Sequence, residues 1–390
     1  MQLLDPIRIA TDLAARLAST AVERDRAGGH APCEREWIRE SGLLALSVPA
    51  DFGGAGAGWS TVQATVRILA RADSALAHVY AFHHLQMATI DFYGNAGQRR
   101  HLFGATVSQR LFWGNALNPL DKRCVATARD DGFMLNGIKS FCSGSVGADW
   151  LIVSAWDQAV NGALIGALPA TQAGLTVQAD WDAFGQKQTD SGNVLFEDVA
   201  LPAALVLQAP SATPALTSRM TLRTQISQLI MANLYLGIGQ GAFEAARAYT
   251  REQARPWFAS GVARAADDPV VQHRYGKLWL LLRPAELAAD HAAGMLDRAM
   301  DRGEGLTAGE RGEVAIAVAE AKALSHQAGL DISNQMFELM GARSTSAQFG
   351  FDRFWRNARV HTLHDPVDYK IRDLGRYALD GTLPEPTAYS

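Results

Sequence analysis

The sequence has little cysteine: three residues in 390 (Cys33, Cys124 and Cys142), with no C-x-x-C pair. That excludes a disulfide framework and a cysteine-rich zinc site, and it points to a reducing, cytoplasmic setting. There is no uncharged apolar run near the roughly 20 residues that a spanning helix needs; residues 278–282 are apolar but far too few, so no membrane is expected. A basic excess is also missing. Lys and Arg number 36 against 40 Asp and Glu, a formal net charge of -4, and so there is no electrostatic case for nucleic acid. The opening MQLLDPIRIATDLAARL is amphipathic with an early acid and lacks a signal-peptide pattern. Tandem repeats and low-complexity tracts are absent. The glycine-rich VPADFGGAGAG (48–58) lacks the strand, crossover helix and downstream acid of a dinucleotide fingerprint, and it reads as a turn between helices.

What is present is a chain with 48% hydrophobic and 19% charged residues, long enough for two or three ordered domains. From residue 5 to about 110 the pattern is helical, with Ile9, Leu13, Leu17 and Val22 near helical spacing. A second helical segment over 60–93 carries His78, His83 and His84. From residue 111 to about 202 strand-like runs alternate with turn residues, as in FMLNGIKSF, WLIVSAW, ALIGALP, GLTVQA and GNVLFEDV. Asn136-Gly137 lies between two apolar runs and signals a hairpin. No long helix follows any of these strands, which predicts an antiparallel sheet. After a polar linker at 208–218, long helices are expected over 222–255, over 269–300 with an interruption at Pro284, and from a Thr307/Glu310 capping box to Met340. The expected organisation is an α+β, mainly helical chain: an N-terminal helical domain (1–110), a β domain (111–207) and a C-terminal helical bundle (208–390).

One stretch concentrates chemistry. In FWRNARVHTLHDPVDYK (354–370), His361 and His364 stand three apart, which on a helix puts both on one face. Asp365 follows, then Pro366, which ends a helix. On spacing alone the pair is equally consistent with capping of a helix C-terminus by cationic side chains.

The order of domains resembles the acyl-CoA dehydrogenase superfamily, and three motifs agree with it. VPADFGGAG is similar to its V-P-x-x-Y/F-G-G-x-G turn, LNGIKSFCSGS to its flavin-contacting L-N-G-x-K-x-W-I-T-N strand, and RNARVHTLHDP to R-D-A-R-x-x-x-I-Y-E-G. Matched in order, His364, Asp365 and Pro366 stand on Tyr-Glu-Gly, whose Glu commonly abstracts the substrate proton in the dehydrogenases. The Asp is one methylene shorter and held by proline, and proton abstraction depends on geometry first. WGNALNPLD, YTREQARPW and GFDRFWRNAR resemble the two-component flavin monooxygenase branch, of the dibenzothiophene and indole-oxygenating type.

That resemblance implies reduced FMN from a separate flavin reductase, O2, a flavin C4a-hydroperoxide, a small apolar aromatic or heterocyclic substrate, and a homotetramer. Ser143, matching the family's Thr, is expected to donate from hydroxyl and backbone to the flavin N5 and O4 edge, with Phe141 and Cys142 beside it. Asn115 is expected to bond substrate or peroxide. Trp113, Trp181 and Phe141 are expected to be apolar walls, since such chemistry needs water excluded. His361 and His364 are assigned to peroxide stabilisation and proton delivery, because an imidazole titrates near neutrality; Asp365 is expected to orient one ring. His84 is taken to complete the pocket with His83 nearby, although the sequence does not separate these from His78. Arg255 and Arg343, at expected helix ends, suit the FMN phosphate. Two alternatives stay open: an FAD-dependent acyl-CoA dehydrogenase with Asp365 as base, and a non-haem metalloprotein using His361, His364 and Asp365 with His84.

Overall fold

The structure, a computed structural model, describes residues 5–212, 216–387, 389 and 390; the first four residues of the amphipathic opening and 213–215 of the expected linker lie outside them. Six helices come first: α1 (Pro6–Ala18), α2 (Ala21–Ala27), α3 (Pro32–Glu40), α4 (Trp59–Ala72), α5 (Ser74–Tyr93) and α6 (Ala96–Gln109). The single helix expected over 60–93 is two. Asp73 has extended backbone, and its carboxylate accepts from the N–H groups of Ala75 and Leu76 at 3.0 Å each, which ends α4 and caps α5. Residues 48–58 are the turn ahead of α4, as read from the sequence.

α5 lies inside the molecule. All its residues except Asp91 and Tyr93 are buried, as a helix apolar on every side must be. It packs against α4, the first bundle helix and the first strand, and so carries its histidines and Gln86 into the interior.

Eight strands follow: β1 (Trp113–Ala116), β2 (Cys124–Arg129), β3 (Gly132–Lys139), β4 (Trp150–Asp157), β5 (Gly162–Pro169), β6 (Leu175–Val177), β7 (Val194–Pro202) and β8 (Val206–Ser211). They form one sheet in the order β6-β7-β3-β2-β4-β5-β8, with β1 also on β4. Most pairings are antiparallel, as expected, but β1–β4 and β2–β4 are parallel and the sheet is mixed. The reason lies in the loop between β1 and β2. β1 pairs with Trp150 to Val153, and β2 continues along the same edge at Trp156 and Asp157. The loop does not reverse, and Lys139 Nζ pins it by donating to the carbonyls of Asn118 (2.7 Å) and Asp121 (2.6 Å).

The hairpin expected at Asn136-Gly137 is elsewhere: β2 and β3 turn at residues 130–131. Asn136 and Gly137 sit inside β3, at a register shift against β7. Gly137 has φ +125°, and a Cβ there would fall 2.0 Å from the Arg123 carbonyl oxygen. The glycine serves a bulge and a close backbone approach instead of a turn. Part of the expected linker is also strand, since β8 reaches Ser211 and pairs with β5.

The bundle contains α7 (Leu222–Glu252), α8 (Pro269–Asp301), α9 (Ala308–Met340), α10 (Asp352–His361) and α11 (Asp368–Asp380). The Thr307/Glu310 capping box is present in full. Pro284 does not interrupt α8, which runs through it from Pro269 to Asp301. One apolar core joins the N-terminal helices to the bundle, and a second fills the sheet. The outer face of α8 leaves Trp279, Leu280 and Leu287 exposed. Among the described residues no helix is long and apolar enough to cross a membrane.

Candidate active site

His361 is the last residue of α10, and His364 lies beyond it in a tightened turn, where Leu363 N–H donates to Val360 (3.3 Å) and His364 N–H to His361 (3.1 Å). The two imidazoles therefore do not share a helix face. His361 turns inward and is buried, while His364 is exposed. Tyr235 on α7 holds this end by donating to the His361 carbonyl at 3.0 Å. The His361 ring stands 4.7 Å from that of His78 on α5, which stacks on Phe82 at 4.0 Å. Among the described residues neither ring nitrogen of His78 has a hydrogen-bond partner. Burial, with His364 and Lys322 adding, pushes the His361 imidazole down to about 3. Burial likewise holds His78 well below the usual imidazole range. Both rings are uncharged near neutrality, each with one N–H and one lone pair.

Asp365 is held through one of its two oxygens. Lys322, buried on α9, donates to its Oδ1 and to Gln228 Oε1, and His364 Nδ1 donates to the same Oδ1 at 2.9 Å. Burial alone raises the carboxyl, but the His364 bond and the Lys322 ammonium outweigh it and hold Asp365 below the usual carboxylate range. It orients His364 through that bond, and it is a weaker base than an ordinary carboxylate. Among the described residues no cluster of three or more His, Cys, Asp or Glu can hold a metal ion, so the metalloprotein alternative has no ligand set there.

Ser143 sits in the turn after β3, where Phe141 adopts φ +57°. Cys142 N–H donates to Gly192 (3.0 Å), Ser143 N–H to Phe141 (3.0 Å) and Gly144 N–H to Thr189 (2.8 Å), while the Ser143 carbonyl accepts from Asn115 N–H at 2.9 Å. Gln86 of α5 donates to Asn115 Oδ1 at 3.2 Å. A second loop, 186–191, closes over this turn. Its Gln186 N–H donates to Asn357 Oδ1 at 2.6 Å, one helical turn before His361. A Cβ on Gly185 would meet the Arg356 carbonyl oxygen at 2.2 Å, so only glycine allows this loop to lie on α10. Below the turn, buried Arg35 donates to the Val146 carbonyl and faces Asp190 at 3.6 Å.

Several expected residues lie elsewhere. Trp113 is a core residue whose Nε1 donates to Thr106 Oγ1 at 2.8 Å, with its ring 5.4 Å from Trp150; it walls no pocket. Both nitrogens of His83 are used, Nε2 toward the Leu44 carbonyl (2.8 Å) and Nδ1 accepting from Trp113 N–H (3.2 Å), which makes it structural. His84 bonds Ser47 Oγ at 2.6 Å and packs on Tyr80. Six residues of helix turn it about 120° from His78, so His78, and not His84, meets His361. Phe141 is exposed and meets Trp181 edge-on at 6.0 Å, and Trp181 Nε1 donates to the Gln186 carbonyl at 2.9 Å. Cys142 points into the sheet core, where burial pushes its thiol up to about 12. Arg255 and Arg343 are exposed and near each other, Arg343 donating to the Gln253 carbonyl at 3.1 Å. Gln253 is 18 residues from Tyr235 along α7, about 27 Å at 1.5 Å per residue, so one chain does not bring these arginines to His361.

Sequence reasoning missed Lys322, Gln228, Arg35, Asn357 and the 186–191 loop. Of these only Asn357 carried a signal, since it precedes His361 by four on one helix.

Four buried neutral histidines give a signed pH effect. Burial lowers His83 to about 4 and His361 to about 3, and holds His78 and His84 well below their ordinary value. In the unfolded chain each takes up a proton near pH 6.5. Stability is therefore full above that pH and is lost as pH falls toward the folded values, with a slope of about 1.4 kcal/mol per pH unit for each histidine. The urea midpoint is expected to drop steeply between pH 6.5 and 5; an unchanged midpoint across that window contradicts neutral burial.

Comparison with known proteins follows the same outline. Residues 9–110 match the model of the acyl-CoA dehydrogenase N-terminal domain and residues 229–369 that of its C-terminal domain. The chain is 46% identical to the probable FMNH2-dependent monooxygenase SfnC of Pseudomonas putida, over 98% of this chain and 97% of that one. It superposes on the methanesulfinate monooxygenase MsuC of Pseudomonas fluorescens with TM-score 0.97 and 45% identity, covering 99% of this chain and 100% of the other. FMN-bound TdsC of Paenibacillus sp. A11-2, a dibenzothiophene monooxygenase also solved with indole, gives TM-score 0.95 at 39% identity with the same coverage.

Proposed function

The chain belongs to the acyl-CoA dehydrogenase superfamily and, within it, to the FMNH2-dependent monooxygenases. From that membership and the site geometry we infer that it is an oxidoreductase that takes reduced FMN and O2 and places one oxygen atom on a small substrate. The observation that carries this reading is Asp365. The carboxylate standing where the dehydrogenases carry their base is fixed through Oδ1 by Lys322 and His364, which hold it ionised and make it a weak base for a carbon-bound proton.

The residues fit a flavin. Among the described residues His78 offers two buried nitrogens without a hydrogen-bond partner and Gln86 such an Oε1, and Gln86 is linked through Asn115 to the turn that carries Phe141 and Ser143. Reduced FMN, when bound, supplies the electrons that activate O2, with the second oxygen atom leaving as water. The chain's own groups manage the rest. Neutral His361 and His78, both buried, would each present a ring N–H toward O2 beside the bound flavin. Asn115, with its Oδ1 held by Gln86, has its side-chain NH2 free for the substrate. His364, aligned by Asp365, leaves Nε2 toward the exposed rim.

The substrate is a small sulfur- or nitrogen-containing aromatic heterocycle. A small alkanesulfinate is the second reading, favoured by the likeness to MsuC. The reduced flavin comes from a separate reductase in the cytoplasm, and the exposed face of α8 suits a homotetramer in which Arg255 and Arg343 serve a neighbour's flavin phosphate.

Purified protein is expected to be nearly colourless and to bind FMNH2 in preference to FMN. With FMN, a flavin reductase, NADH and O2 it should oxygenate a member of a panel of indole, dibenzothiophene and methanesulfinate. Tight stoichiometric FAD that an acyl-CoA reduces would overturn the assignment.

A further inference from the structure

The Ser143 hydroxyl belongs to a chain of three. Ser143 Oγ lies 2.8 Å from Ser191 Oγ, Ser191 Oγ 2.8 Å from Thr189 Oγ1, and Thr189 Oγ1 3.0 Å from the Gln186 carbonyl oxygen. All four groups are buried. A carbonyl only accepts, and a hydroxyl has a single proton. Thr189 Oγ1 gives its proton to the Gln186 carbonyl, which also accepts from Trp181 Nε1 and the Thr189 N–H, and Thr189 in turn accepts from Ser191. Ser191 has then spent its own proton and must accept from Ser143. The direction of the whole chain is fixed by its last member.

The consequence falls on Ser143. Its hydroxyl proton is committed inward, and the only group it can turn outward is a lone pair. The backbone adds no donor, because the N–H groups of Cys142, Ser143 and Gly144 are all bonded within the two loops. The turn is an acceptor-only surface, which corrects the donor role expected from sequence. A flavin ring carries a hydrogen on N5 when reduced and a bare lone pair there when oxidised. An acceptor at N5 attracts the first and repels the second.

We propose that the Ser143–Ser191–Thr189 chain selects the redox state of the flavin: by holding Ser143 as an acceptor it recognises N5–H of reduced FMN and rejects oxidised FMN. This rests on the reading that reduced FMN lies with N5 at Ser143. Ser191 and Thr189 are positioning residues that act through Ser143. The chain is anchored at Gln186, whose N–H is held by Asn357, so the same α10 that carries His361 also fixes the hydroxyl direction.

The test measures the dissociation constants of FMN and, anaerobically, of FMNH2 on the full-length protein, with no turnover. Wild type is expected to prefer FMNH2 by at least about tenfold. Ser191→Ala removes the acceptor for the Ser143 proton, and Thr189→Val lets Ser191 turn its proton toward Ser143. In both, oxidised FMN should bind more tightly and FMNH2 more weakly, shrinking the ratio by roughly tenfold, the scale of one hydrogen bond. The potential of bound FMN then falls by about 30 mV. Thr189→Ser should restore the wild-type ratio. A purely structural role would weaken both ligands in parallel, and that result, or an unchanged ratio in either folded variant, overturns the proposal alone. Equal binding of FMN and FMNH2 by wild type overturns the functional reading and the proposal with it.

Discussion

Replacing His361 by alanine is expected to lower oxygenated product by about a hundredfold or more, the range in which a positioned acid or base contributes. Reduced flavin and O2 should still be consumed, with hydrogen peroxide as the main product. The expectation follows from position. His361 is buried at the end of α10, its carbonyl is fixed by Tyr235, and its ring faces His78. Alanine removes the N–H and opens a space that water can enter, and both changes favour loss of peroxide over transfer. Product formed per O2 consumed is the quantity to measure. His364→Ala, at an exposed residue, should cost much less. If His361→Ala keeps full coupling, the inner histidine has no part in the chemistry.

The second large effect concerns stability. Asp365→Ala leaves the Lys322 ammonium buried without its carboxylate, and breaking a buried pair in this way costs about 3–5 kcal/mol. Lys322 titrates low in any case, since burial lowers it against the pull of Asp365, so the loss should be greatest at lower pH, where the lysine is forced to stay charged. Removing both charges as Lys322→Met with Asp365→Leu should recover most of the loss, as apolar replacements of buried pairs often do. Chemical unfolding midpoints of the three variants decide this. A double variant no better than Asp365→Ala would show that the carboxylate matters for reasons other than pairing.

Much of the architecture could be read from residue patterns alone. The alternation of helical and strand texture, the Thr307/Glu310 box and the end of α10 before Pro366 all follow from local chemistry. Errors arose where a distant partner decides. Asn136-Gly137 has the composition of a tight turn, but pairing with β7 makes it a bulge. Lys322 looks like one more charged residue of α9 until Asp365, 43 residues on, is seen beside it. The three histidines of α5 were inseparable for a different reason. A helix buried on every side has no polar face to set its rotation, and so nothing local marked His78 as the one that meets α10.

The hydrogen bond between Gln186 and Asn357 spans 171 residues of chain. Contacts of that separation form late, after shorter loops have closed. The site needs His78, Ser143 and His361 together, so a chain still lacking its last forty or so residues has helices and a sheet but no place for the cofactor. Protection of the amides of the 186–191 loop against hydrogen exchange is thus a sign that the final helices have docked.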